Sequence, residues 1–187
     1  MNRNLLITLF LLIPLFGFTN TTNEENFTLQ QGKKYSLVVE KNEEKVVHLA
    51  IDLLKRDMKA TLDAELTLLK AEKIEKSKKD KTAICHTDEG LKIVVGTIGV
   101  STILETCPEN LSSLKGKHEA FLMKVLKNGK LLIAGSDKRG TAYGVLELSR
   151  LLGVSPWEWW ADATPEKREI FHLPAGYSQT QEPTVPY

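Results

Sequence analysis

Apolar residues along this chain recur at two spacings, and the places where one spacing gives way to the other mark its elements. Tyr35-Ser36-Leu37-Val38-Val39 reads as a strand. From Val46 the spacing changes. Val46, Val47, Leu49, Ala50, Leu53, Leu54 and Met58 recur at three and four residues, which predicts a helix with one wide buried face. Asn42 is placed to cap that helix, with Glu43 and Glu44 in its first turn and Lys55 and Arg56 near its last, each charge matched to the helix dipole. Such a helix packs on a sheet. Ala64 to Leu69 is a candidate second strand, and Leu91 to Gly96 a third.

Gly96-Thr97-Ile98-Gly99 then turns the chain into a short helical segment that Pro108 interrupts. Ala120–Leu126 and Leu131–Ala134 flank Asn128-Gly129, which predicts a hairpin closed by a type I′ turn. Ser136 or Asp137 caps the next helix, Gly153 ends it, and Pro156 prevents its continuation. Glu169–Leu173 is expected as a last edge strand, and Pro174, Pro183 and Pro186 mark a linker. The order strand, helix, strand, hairpin, helix, strand implies an α/β fold: a single small domain in which a mixed β-sheet carries helices on at least one face.

Composition narrows this picture. A chain of 187 residues suits one domain. A TIM barrel, at about 250 residues, does not fit. With 25 Lys+Arg against 24 Asp+Glu, no net field draws nucleic acid or an anionic membrane. The lysine-rich stretch from Lys70 to Lys81 interleaves acids, lacks aromatic residues and reads as a solvated loop or frayed helix end. Asn2-Arg3-Asn4, the apolar run Leu5–Phe16, Pro14 and Gly17 have the form of a secretory signal peptide over residues 1–20, with an uncleaved N-terminal anchor as the alternative. No cysteine follows this leader to carry a lipid, so no membrane contact beyond the signal peptide is expected. Residues 21–26 are expected to be disordered. The chain is then exported, periplasmic or extracellular, where Cys85 and Cys107 can form a disulfide or remain two buried thiols. Their spacing makes a poor metal site.

Candidate chemistry lies in two places. The turn Gly135-Ser136-Asp137-Lys138-Arg139-Gly140-Thr141 follows a strand and opens a helix, but it lacks the lysine of a phosphate-binding loop. No cofactor is expected. Asp137, Lys138 and Arg139 at a helix N-terminus could receive a sugar carboxylate, or Asp137 could simply cap the helix while Arg139 pairs with a neighbouring acid. Gly140 and Gly144 read as packing glycines. The second place is Trp157-Glu158-Trp159-Trp160-Ala161-Asp162, which holds all three tryptophans. In an extended segment these rings would alternate sides, leaving at least one exposed for sugar stacking or for docking another domain. Trp157, Trp159, Trp160 and Asp162, with Asp137 and Arg139, are therefore the candidate substrate-binding or docking residues. Glycosidic hydrolysis needs two carboxylates facing one bond. Glu158 and Asp162 sit on a single loop, so no catalytic residue is assigned. His48, His86, His118 and His172 show no metal or triad spacing.

Gly135–Thr141, Tyr143-Gly144, Gly153-Val154-Ser155-Pro156-Trp157 and Trp159-Trp160-Ala161-Asp162 together resemble the N-terminal domain of glycoside hydrolase family 115, the xylan α-1,2-glucuronidases. Val46–Ala50, Ile93–Thr97 and Lys117–Phe121 keep that family's order and spacing. The resemblance implies a non-catalytic α/β domain over residues 27–174, like those preceding the barrels of several glycosidases. Residues 175–187 would lead to a catalytic (β/α)8 barrel that this sequence does not contain. It also implies two partners: that barrel and, through the parent enzyme, glucuronoxylan. The chain alone is expected to be inactive.

Overall fold

A computed structural model of the chain describes residues 24–71, 90–107 and 109–184; at Trp159 it describes the backbone only. The elements are β1 (Phe27–Gln30), β2 (Lys34–Glu40), α1 (Lys45–Leu62), β3 (Glu65–Ala71), β4 (Leu91–Thr97), α2 (Ile103–Thr106), β5 (Phe121–Val125), β6 (Leu131–Gly135), α3 (Lys138–Leu151), α4 (Glu158–Ala161), β7 (Ile170–Leu173) and β8 (Ser178–Gln181). Six strands form one mixed sheet in the order β3-β2-β4-β6-β5-β8. The first four run parallel, while β5 is antiparallel to both β6 and β8. This is the small α/β domain with a mixed sheet that the alternation of strands and helices predicts.

Both faces of the sheet are covered, and β6 displays this residue by residue. Leu131 and Ile133 join the cluster under α1 and α3, whereas Leu132 and Ala134 join the opposite cluster with Ile103, Leu104, Leu114 and Ala120. A strand buried on both sides has to be apolar without alternation, which is why β4 and β6 read as continuous runs. Burying each large aliphatic side chain of this core contributes about 1.5–3 kcal/mol.

Helix α3 lies close to the sheet where it carries glycine. A Cβ at Gly140 would come within 2.2 Å of the Ala120 carbonyl oxygen, and one at Gly144 within 2.7 Å of Ile133 Cγ2. Both glycines therefore serve the close approach of α3 to β5 and β6.

Several local expectations are corrected. Helix α1 starts at Lys45 with Glu44 as N-cap and no capping side chain. Asn42 does not cap it, because buried Glu43 turns toward β4 to bond Thr97 and delays the helix start. The buried face of α1 is also narrower than its apolar pattern. Val47, Ala50, Ile51, Leu54, Met58 and Leu62 are buried, but Val46, Leu49 and Leu53 are exposed. The helix carries more apolar side chains than one side of a cylinder can turn to the sheet.

The hairpin is not type I′. Gly129 alone takes positive φ (67°), and its N–H donates to Leu126 O across a turn. A β-turn followed by a left-handed glycine is the three-residue hairpin loop.

Glu169–Leu173 supplies β7, but β7 pairs with β1 in a separate two-stranded sheet instead of edging the main one. Phe27 packs edge-on against Phe171 there. The main-sheet edge is β8, within residues 175–187 expected as a linker. Its polar sequence Ser178-Gln179-Thr180-Gln181 carries no core signal, and main-chain pairing with β5 holds it. At the other end, Glu25 N–H donates to Lys127 O and Asn26 accepts from Ala175 N, so Glu25 and Asn26 of the stretch expected to be disordered are tied down. The expected signal peptide lies outside the described residues, as do residues 72–89 with Cys85, His86 and most of the lysine-rich stretch. Cys107 is disulfide-bonded.

Candidate functional site

The two places with candidate chemistry flank the same helix, α3. At its start, Asp137 Oδ1 accepts the N–H groups of Arg139 and Gly140, both at 2.9 Å, and Oδ2 accepts Glu119 N–H at 2.7 Å. Partial burial works against the charged carboxyl, but the N–H groups of Gly140, Glu119 and Arg139 together outweigh it and hold the group below the usual aspartate range. Asp137 is thus the cap. Ser136, the other candidate, accepts Ala120 N–H instead.

Arg139 forms a 2.7 Å ion pair with Glu119, whose side chain is 10% exposed and whose backbone takes φ 55°. Lys138 lies 3.8 Å from Glu44 at the surface. The two cationic side chains that could receive a ligand carboxylate, Lys138 and Arg139, are met by acids of the chain itself. Glu119 stands 20 residues away in the loop before β5, so nothing in the local pattern announces it.

Beneath this turn lies a buried polar network at the carboxyl ends of the parallel strands. Glu43 accepts Thr97 N–H and Thr97 Oγ1, both at 2.8 Å, and Thr97 Oγ1 lies 2.7 Å from Thr141 Oγ1. Burial pushes the Glu43 carboxyl above its usual range, with Glu40 adding to the effect while the Thr97 hydrogen bonds oppose it. Glu40 in turn accepts N–H groups of Thr102 and Ile103 at the start of α2.

Beyond the C-terminal end of α3 the tryptophan segment differs from expectation. It is a single helical turn, in which Trp160 N–H and Ala161 N–H both donate to Trp157 O, and not an extended strand. The alternation argument fails for that reason. Residues three apart on a turn share a face, and both described rings are open: Trp157 is 66% exposed and Trp160 85%. Asp162 ends the turn in the left-handed conformation at φ 49°. Glu158 accepts a 3.0 Å hydrogen bond from Arg56, which also bonds buried Asp57 at 2.8 Å and so ties the turn to α1.

Between these elements lies a shallow groove of about 200 Å³. Leu53 and Arg56 of α1, Leu146 and Ser149 of α3, and Val154 and Pro156 line it. This arrangement offers apolar walls, open indoles and a carboxylate held by a guanidinium. Asp57 and Glu158 also line the groove, and both their carboxylates are bonded to the Arg56 guanidinium between them. Among the described residues no cluster of histidine, cysteine or carboxylate residues is arranged to hold a metal. The groove was missed in sequence because Leu53 reads as core.

No protein-family model matches the chain, and no curated protein matches it. Among solved structures, one described as a novel family GH115 4-O-methyl-α-glucuronidase with specificity for decorated arabinogalactans is 43% identical, with a TM-score of 0.73. That match covers 86% of this chain and 19% of the other, so this chain spans about a fifth of its solved relative. A second structure, of a protein named CpGH84D, is 10% identical at a TM-score of 0.46 over 80% of this chain and 21% of that one, too distant to support any inference. The chain thus resembles part of a family GH115 glycoside hydrolase in both sequence and fold.

Proposed function

We propose that this chain is the non-catalytic α/β domain of an exported glycoside hydrolase that releases 4-O-methylglucuronic acid side chains from plant polysaccharide. One observation carries this reading: a 43% identical match that spans nearly all of this chain yet only a fifth of an α-glucuronidase. Glucuronoxylan is the substrate implied by the resemblance in sequence, and decorated arabinogalactan the one named for the solved relative. In this reading the domain buttresses the catalytic barrel, and export follows from the signal-like leader. Purified chain is expected to release no 4-O-methylglucuronic acid from either polysaccharide. The same chain substituted for the matching fifth of the solved relative is expected to leave that enzyme active. Turnover by the isolated chain, or an inactive substituted enzyme, refutes the proposal. N-terminal sequencing of exported protein tests the leader, and an intact Met1 start counts against cleavage.

A second reading, a stand-alone carbohydrate-binding module, is favoured by the exposed rings of Trp157 and Trp160. Retardation of the isolated chain in gels containing glucuronoxylan or arabinogalactan, abolished in the double alanine variant, would select it.

A further inference from the structure

Nine large hydrophobic residues are exposed among those described, and seven of them lie on one side of the molecule. Val46, Leu49 and Leu53 follow one another at helical spacing along α1, Tyr143 and Leu146 stand on α3 packed beside it, and Trp157 and Trp160 are carried by the turn around α4. The groove joins them, since Leu53 and Leu146 meet across it with Val154 and Pro156. Hydrophobic residues scattered singly over a surface need no explanation, but a band of seven on two packed helices and the turn beside them does, even with Arg56, Asp57, Arg150 and Glu158 lining the groove between them. Ser149, 4% exposed, lines the same groove, and its buried hydroxyl has no hydrogen-bond partner.

From this band we infer the site at which the remainder of a GH115-type chain packs on this domain. The inference rests on the reading proposed above. What argues for that occupant is the relation in size: the solved relative holds this domain together with about four times as much further chain. A domain joined to so large a neighbour is expected to bury an apolar face against it, and α1, α3 and α4 carry the band of this molecule. The occupant is a segment with apolar side chains that fill the space between Leu53 and Leu146, with a main-chain or side-chain polar group reaching Ser149. The exposed Ile170 of β7 and Leu69 of β3 stand outside the band and serve as internal controls.

The test uses hydroxyl-radical footprinting read by mass spectrometry on two proteins: the isolated chain, and the solved GH115 enzyme carrying this chain in place of its matching fifth. Leu49, Leu53, Leu146, Trp157 and Trp160 are expected to be labelled in the isolated chain and to lose that labelling in the substituted enzyme, while Ile170 keeps it. An active substituted enzyme in which all five remain labelled overturns this inference and leaves the proposed function standing. An inactive substituted enzyme overturns the proposed function and this inference with it. Labelling already lost in the isolated chain, with a dimer in gel filtration, assigns the band to a second copy and overturns the inference as well. In the substituted enzyme Leu53→Asp is expected to restore labelling of Trp157 and Trp160; unchanged protection counts against the groove as the point of contact.

Discussion

The two ends of α3 both carry candidate binding residues, and the fold treats them oppositely. At the start of the helix, charged side chains are satisfied from within: Arg139, which could grip a sugar acid, by Glu119, Asp137 by three backbone N–H groups, and Glu43 by Thr97. Past the other end, two described indoles and a row of leucines are left open. The difference follows from geometry. The carboxyl ends of the parallel strands converge on the first turn of α3, so partners from several elements lie within reach. Just beyond Gly153 the chain leaves the sheet for the α4 turn, which Arg56 of α1 holds through Glu158. A charged cluster in a sequence is therefore weak evidence for a ligand until its internal partners are known. An exposed aromatic turn is stronger evidence, because the fold has left it uncovered.

The comparison breaks first if the closed end is less tightly built than its contacts indicate. Gly140→Ala gains about 1 kcal/mol of helix propensity. Its new Cβ, however, would lie 2.2 Å from the Ala120 carbonyl oxygen, a backbone atom that cannot swing aside. A net loss of about 3 kcal/mol is expected in urea unfolding. A loss under half of that would mean that α3 can shift away from β5.

Asp137→Ala removes the cap and leaves three N–H groups without their acceptor, for an expected loss of about 2 kcal/mol. The pH dependence sharpens the point. The folded Asp137 carboxyl lies below its unfolded value. Its stabilisation is therefore complete above the ordinary aspartate range and fades as pH falls through the lowered folded value. The gap between wild type and Asp137→Ala should close with acidification. A gap that is constant with pH would refute the assigned role of the charge.

Glu43 acts in the opposite sense. Its folded value lies above the unfolded one, so the folded state binds this proton more tightly, and its contribution to stability falls as pH rises through the window between the two. Stability of Glu43→Gln relative to wild type is expected to improve as pH rises across that window. No relative change between pH 4 and 7 would show that burial does not dominate its titration.

At the open end, Trp160→Ala should change the stability of the isolated chain by no more than about 0.5 kcal/mol, since the ring is 85% exposed. A loss above about 1.5 kcal/mol by thermal or urea melt would mean that the ring is packed in solution and that the two ends do not differ as described.

The sequence made the strand and helix order legible because that order rests on nearest-neighbour periodicity. Continuous apolar runs in β4 and β6, the 3.6-residue repeat of α1, and Asp137 and Gly153 at the ends of α3 are local signals of local structure. The packing of Gly140 and Gly144 was legible too, because two glycines four apart in a helix have few other uses. Which sheet β7 joins, and that Ser178–Gln181 adds a strand, were not. Those outcomes depend on which main-chain edge lies free nearby, and a polar strand held by backbone pairing leaves no pattern in its side chains. The same limit separates the candidate residues from the site. Local pattern places Leu53 among core residues and leaves Arg139 open between a ligand carboxylate and a neighbouring acid. Only the packing of α1 beside α3 puts Leu53 on a groove, and only Glu119 against the first turn of α3 gives Arg139 its acid, because burial and ion pairing are decided by segments far apart in the chain and adjacent in space.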